Sequence, residues 1–122
     1  VAADIEAMLP RFVGGFNRGD ARAKAVTSEL LELADARPSA ATLATGLNWL
    51  RDVDLHPLAS QIKAPTLLMH GANDPLMPLA AAEALTALIP GAELAVFAEC
   101  AHAPFLSQPE AFNARLSTFI NA

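Results

Sequence analysis

Apolar positions in this chain recur first with a helical period and then, past residue 53, in the continuous runs of buried strands. In the first stretch Ile5, Met8, Leu9, Phe12 and Phe16 fall on one helical face. Pro10 is expected to break or kink that run, and Gly14-Gly15 and Gly19 to loosen the chain beyond it. Asp20 is placed to cap a second helix, which turns Val26, Leu30, Leu33 and Ala34 inward and ends before Pro38. Ser39 is placed to cap a third, in which Leu43, Leu47 and Leu50 repeat at spacings of four and three. These stripes, and Trp49 with them, read as core packing rather than as a binding box.

The period then changes. After Ala64-Pro65, the run Thr66-Leu67-Leu68-Met69-His70 is apolar on both faces, the pattern of a buried parallel strand. Pro78 opens a helix through Leu85, Leu88 and Ile89, and Pro90-Gly91 stops it. Glu93-Leu94-Ala95-Val96-Phe97 supplies a second strand. Ser107-Gln108-Pro109-Glu110 has capping-box spacing, and Phe112, Leu116, Phe119 and Ile120 form the buried stripe of a last helix. The predicted order is three helices followed by β-α-β-α, an α/β chain with two parallel strands. Two such strands with one crossover do not bury both faces of a sheet. Strand 66–70 is therefore expected to be interior to a larger sheet, with an apolar edge that seeks a partner.

Composition narrows the classes. The chain has 122 residues, 53% hydrophobic and 17% charged, which suits one packed domain and is too apolar for disorder. A net charge of −5 offers no basic footprint for nucleic acid. No apolar run approaches the roughly 20 residues a membrane helix requires. A lone cysteine, Cys100, excludes an internal disulfide and fits a reducing compartment. The opening Val1-Ala2-Ala3-Asp4 has neither Met nor a basic, apolar leader. A soluble, cytoplasmic protein is expected, whose gene product need not begin at Val1.

Two loops hold the candidate chemistry. His70-Gly71-Ala72-Asn73-Asp74-Pro75 puts a carboxylate just past the first strand, and Cys100-Ala101-His102-Ala103-Pro104-Phe105 puts a histidine just past the second. Asp then His after successive parallel strands is the later part of the Ser…Asp…His order of α/β-hydrolases. The five serines, Ser28, Ser39, Ser60, Ser107 and Ser117, include no Gly-x-Ser-x-Gly elbow, so no nucleophile is assigned. Ser107 is read as a helix cap and not as a substitute. Blander readings stand beside this one. Asp74 before Pro75 is ordinary turn composition, and His102 alone could be a satisfied loop histidine. Cys100, His102, His70 and Asp74 lack a zinc spacing, so no metal is expected, and Cys100 reads as a small packing residue.

Residues 48–122 resemble the pimeloyl-acyl-carrier-protein methyl ester carboxylesterases of biotin synthesis, which are α/β-hydrolases. The resemblance rests on Leu50-Arg51-Asp52-Val53-Asp54-Leu55, on Gly71-x-x-Asp74-x-x-x-Pro78, and above all on Ala101-His102-Ala103-Pro104-Phe105-Leu106-Ser107-x-Pro109. Residues 1–47 match the family's helical cap more loosely. The resemblance implies a C-terminal fragment of that fold, with a cap remnant over residues 1–53 and part of the hydrolase core over 54–122. It further implies that Asp74 orients His102, and that His102 deprotonates a serine and later protonates the leaving methanol. Arg11, Arg18 and Arg22 resemble cap arginines that meet an acidic acyl carrier protein, although their spacing is shorter here and solvated surface arginines are an equal alternative. No cofactor is implied.

The expectation is a truncated serine carboxylesterase, inactive alone. Two alternatives remain. One is a fragment of another α/β-hydrolase, since related peroxidases and carbon–carbon bond hydrolases share the Asp and His loops. The other is a non-catalytic module, a homo-oligomer paired through the open edge at 66–70.

Overall fold

The computed structural model describes residues 2–34 and 38–122; within its first helix, the side chains of residues 2, 3, 5 and 6 lie outside the description. The expected stripe position at Ile5 is one of these. The elements run α1 (Ala2–Phe16), α2 (Ala23–Leu33), α3 (Ala40–Asp52), α4 (His56–Ala59), β1 (Leu67–Gly71), α5 (Leu79–Leu88), β2 (Glu93–Phe97), α6 (Pro104–Ser107) and α7 (Pro109–Ile120). No described helix is long and apolar enough to cross a membrane.

β1 and β2 are parallel and in register from Leu67 opposite Glu93 to Gly71 opposite Phe97. α5 is the crossover between them, and Pro78 precedes its first residue, as the pattern predicts. Ser39 caps α3, its hydroxyl accepting the amide of Thr42 at 3.1 Å. α1 runs uninterrupted through Pro10 and Gly14-Gly15, so the break expected there is absent. The short helices α4 and α6 were not anticipated; both begin near a proline that fits the first turn because its missing N–H is not needed there.

Three expectations need correcting. The α3 stripe is not core: Leu47, Trp49 and Leu50 are 65%, 68% and 76% exposed, and α3 has no buried residue. Its periodicity reports amphipathicity, which creates a face for burial without supplying the neighbour. Together with Leu55, Leu58, Ile62 and Leu85, Trp49 and Leu50 line an apolar groove of about 970 Å³. In the same way Leu67 to His70 are half-buried and only Gly71 of β1 is buried, because β2 is the one described strand beside it. Leu33 and Ile120, placed on inward stripes, are also exposed.

The second correction concerns Asp20. α2 starts at Ala23, and Asp20 is not its cap; its Oδ1 accepts the amide of Arg22 at 2.8 Å in a turn ahead of the helix. The third concerns Ser107. It ends α6, while Gln108 precedes α7 without a side-chain cap. Its hydroxyl donates instead to Asp20 Oδ1 at 2.8 Å, a buried contact worth more than an exposed helix terminus offers.

Burial concentrates where β1 and β2 end. Phe97, Cys100, Ala101, Ala103, Pro104 and Ser107 are all buried, and Val26 of α2 is sealed from solvent. Gly71 makes this approach possible. A Cβ there would stand 1.9 Å from the carbonyl oxygen of Ala101 and 2.5 Å from that of Cys100. Both atoms are backbone, so neither can swing away. Gly71→Ala should lower the unfolding free energy by about 3 kcal/mol or more, the upper range of overpacking, as read by urea denaturation.

Candidate active site

The strand ends bring the two loops together. Past Gly71, the amides of Ala72 and Asn73 donate to the carbonyls of Phe97 and Cys100, each at 2.9 Å, so the parallel ladder continues into the loops. Asp74 comes next, in a tight turn. Its Oδ1 accepts the amides of Leu76 at 2.9 Å and Met77 at 3.0 Å, the turn role its composition suggests. Its Oδ2 accepts from Nδ1 of His102 at 2.8 Å. Asp74 thus shapes its turn with one oxygen and meets His102 with the other.

Charge states follow from these contacts. Burial raises the Asp74 carboxyl pKa, but the amides of Met77 and Leu76 and the His102 ring more than offset it, leaving it below the ordinary 3.8. An ionised carboxylate can only accept, so Nδ1 of His102 bears the proton and Nε2 of the neutral ring is the basic nitrogen. The His102 side chain is 35% exposed while Asp74 is 4% exposed. The carboxylate is therefore buried, and the ring bonded to it remains partly exposed. Phe16 of α1 lies against that ring, centroids 4.8 Å apart and planes tilted by 54°.

His70 braces the turn from the strand side. Its Nε2 donates to the Met77 carbonyl at 2.7 Å and lies 3.9 Å from Asp74 Oδ2. Cys100 is sealed, and burial above all pushes its thiol up to about 11, so it is a neutral thiol at neutral pH. Among the described residues no three His, Cys, Asp or Glu side chains are grouped to hold a metal ion.

The arginines part company. Arg11 lines a small cleft of about 270 Å³ with Phe12, Gly15, Phe16, Pro75 and Leu76. Arg18 sits exposed in the turn after α1, in the connection formed by residues 17–22. Arg22 turns back into the molecule, its Nη1 donating to the carbonyls of Leu106 at 3.1 Å and Ser107 at 3.0 Å. Sequence reasoning missed Asp20, Asn73 and Phe16 as neighbours of this site. Asn73 Nδ2 donates to the Gly19 carbonyl at 2.9 Å, and Asp20 reaches Ala101 across 81 positions, separations that leave no local signal.

A family model described as alpha/beta hydrolase fold matches residues 10–109. The chain is 46% identical over 113 residues to a pimeloyl-[acyl-carrier protein] methyl ester esterase of Aromatoleum aromaticum, covering 89% of this chain and 44% of that protein. A protein of the same name from Edwardsiella ictaluri is 37% identical over 118 residues, covering 95% of this chain and 46% of its own length. Among solved structures, an esterase from Exiguobacterium antarcticum superposes with a TM-score of 0.81 at 29% identity, over 95% of this chain and 42% of that one. The chain thus spans less than half the length of the relatives it matches.

The lowered Asp74 pKa has a measurable consequence. Stability from its carboxylate is fully present above the unfolded value near 3.8 and is lost as pH falls through the lower folded value. Thermal unfolding scanned from neutral pH into acid should show that loss below about pH 4, with Asp74→Asn flattening it.

Proposed function

The chain belongs to the alpha/beta hydrolase fold family, and from that premise we propose that it supplies the acid–base pair of a serine carboxylesterase. The substrate class proposed is the methyl ester of an acyl chain borne on an acyl carrier protein. One observation carries the reading: the 2.8 Å bond from His102 Nδ1 to a buried carboxylate, on a ring that is itself 35% exposed.

In this reaction Nε2 of His102 takes the proton of a serine hydroxyl as it attacks the ester carbonyl. Asp74 holds the tautomer and stabilises the imidazolium that forms. His102 then returns the proton to methanol as the alkoxide leaves, and water repeats the sequence on the acyl-enzyme. The attacking hydroxyl is not one of the five serines. Ser107 is bonded to Asp20, Ser39 caps α3, Ser117 pairs with Asn121, Ser60 ends α4 and Ser28 faces solvent on α2. The serine must come from polypeptide beyond these 122 residues, and without it the pair is inactive.

Residues 1–53 act as cap and 54–122 as core in this reading. The cleft between α1 and Pro75-Leu76 takes the acyl chain beside His102. Arg11 at that cleft and exposed Arg18 face the acidic carrier, while Arg22 is committed to the chain's own carbonyls. The chemistry requires no cofactor or metal.

A chimera tests the proposal: these residues replace the 113 matched residues of the Aromatoleum relative, whose remaining length supplies the serine. It should hydrolyse short methyl esters, and His102→Ala should cut kcat by about 10³-fold or more. A folded chimera without activity, or one indifferent to that substitution, overturns the reading.

A second proposal concerns self-association. β1 has β2 on one edge and no described strand on the other. Two copies pairing along β1 would form a four-stranded sheet. Light scattering at micromolar concentration should then give twice the 12.8 kDa chain mass, and a monomer would remove the idea.

A further inference from the structure

Asp20 presents a problem that the proposed chemistry does not solve. It is 8% exposed, and no lysine, arginine or histidine among the described residues forms an ion pair with it. A buried carboxylate without a counter-charge is costly and persists only where dipoles satisfy it. The donors it does have are informative. Oδ2 accepts the amide of Ala101 at 2.9 Å, while Oδ1 accepts the hydroxyl of Ser107 and the amide of Arg22, each at 2.8 Å. Burial raises its pKa, but the amides of Ala101 and Arg22 and the Ser107 hydroxyl more than offset that, and the group stays ionised at neutral pH.

Ala101 immediately precedes His102, and Ser107 closes the short helix just after it. The carboxylate thus grips the base-bearing segment at both ends, from a turn more than 80 residues earlier in sequence. The same turn adds three further holds. The amide of Ala21 donates to the Glu99 carbonyl at 2.9 Å, Arg22 binds the carbonyls of Leu106 and Ser107, and the Gly19 carbonyl accepts from Asn73 beside Asp74. The loop just ahead of this segment is strained where Ala21 holds it, for Glu99 sits at φ 53°, in the left-handed region that disfavours a side chain. Such a conformation persists only where its surroundings impose it.

We infer that Asp20 is a positioning residue for the base: its carboxylate fixes the backbone on either side of His102, and so sets the ring against Asp74. The α1–α2 turn and the base loop then move as one unit. This rests on the reading of His102 and Asp74 as an acid–base pair, but its test does not require turnover.

The low-field Nδ1 proton of His102, assigned by its loss in His102→Ala and Asp74→Asn, reports the pair directly by proton NMR. Asp20→Ala should abolish that signal or speed its exchange by about tenfold or more, the factor set by losing a charge-assisted bond, and Asp20→Asn should do so partially. Ile89→Ala, a cavity-forming change in the crossover connection, should leave the signal intact despite lost stability. An unchanged signal in folded Asp20→Ala overturns the inference. Should Asp20→Ala fail to fold, the wild-type chain decides: the Ala101 amide must exchange at least about tenfold more slowly than exposed loop amides, and equal rates overturn the inference. If His102 gives no Asp74-dependent signal even in the wild-type chain, the acid–base reading fails and takes this inference with it. A signal that persists in wild type and vanishes in Asp20→Ala supports positioning, whatever the chimera's activity proves to be.

Discussion

The structure depends on how closely the end of β1 approaches the loop after β2. Gly71 passes beneath the carbonyls of Cys100 and Ala101 at a distance that no side chain allows. That contact lets the amides of Ala72 and Asn73 reach the carbonyls of Phe97 and Cys100, so strand pairing continues beyond the strands themselves. Two loops that would otherwise wander are locked side by side, and Asp74 and His102 meet as a result. A small residue at one strand end thereby governs geometry at a site three residues on.

Around that contact, polar groups do what a larger core does elsewhere. The buried set includes Asn17, Asp20 and Ser107 beside mostly small apolar residues. Hydrogen bonds to charged groups contribute more than neutral ones, and each buried carboxylate here is met by several donors. Asp74 uses one oxygen to shape its turn and the other to orient an imidazole. Asp20 uses Oδ1 for both its own turn and Ser107, and Oδ2 for the loop that carries His102. Both remain ionised because their donors outweigh the burial that would neutralise them.

Away from the strand ends the balance reverses. The α3 face and the groove beside it remain open, with Trp49, Leu50, Val53, Leu55 and Leu58 all more than half exposed. An apolar surface of this extent signals a neighbour. The match to under half of each relative's length is consistent with that signal. Site and open face lie at different places: the groove is lined by α3, α4 and α5, and the Asp74–His102 pair lies against α1.

By itself the sequence determined the local elements and the order of the chemistry. Apolar runs marked both strands to within a residue, Pro78 marked the crossover helix, and Ser39 the start of α3. The order of Asp74 and His102 after successive strands was legible too, but that the two side chains meet was settled by the in-register parallel pairing that delivers both loops to one edge. Such features are local, or come from topology alone. Only the tertiary structure decided the rest: that Ser107 turns inward, that Asp20 holds the loop carrying His102 rather than capping a helix, and that α3 stays uncovered. A capping sequence and a buried hydrogen-bond partner draw on the same residue types, and an amphipathic stripe is the same whether or not something packs on it. Which use prevails depends on atoms that arrive from more than 80 residues away, and local pattern holds no record of them.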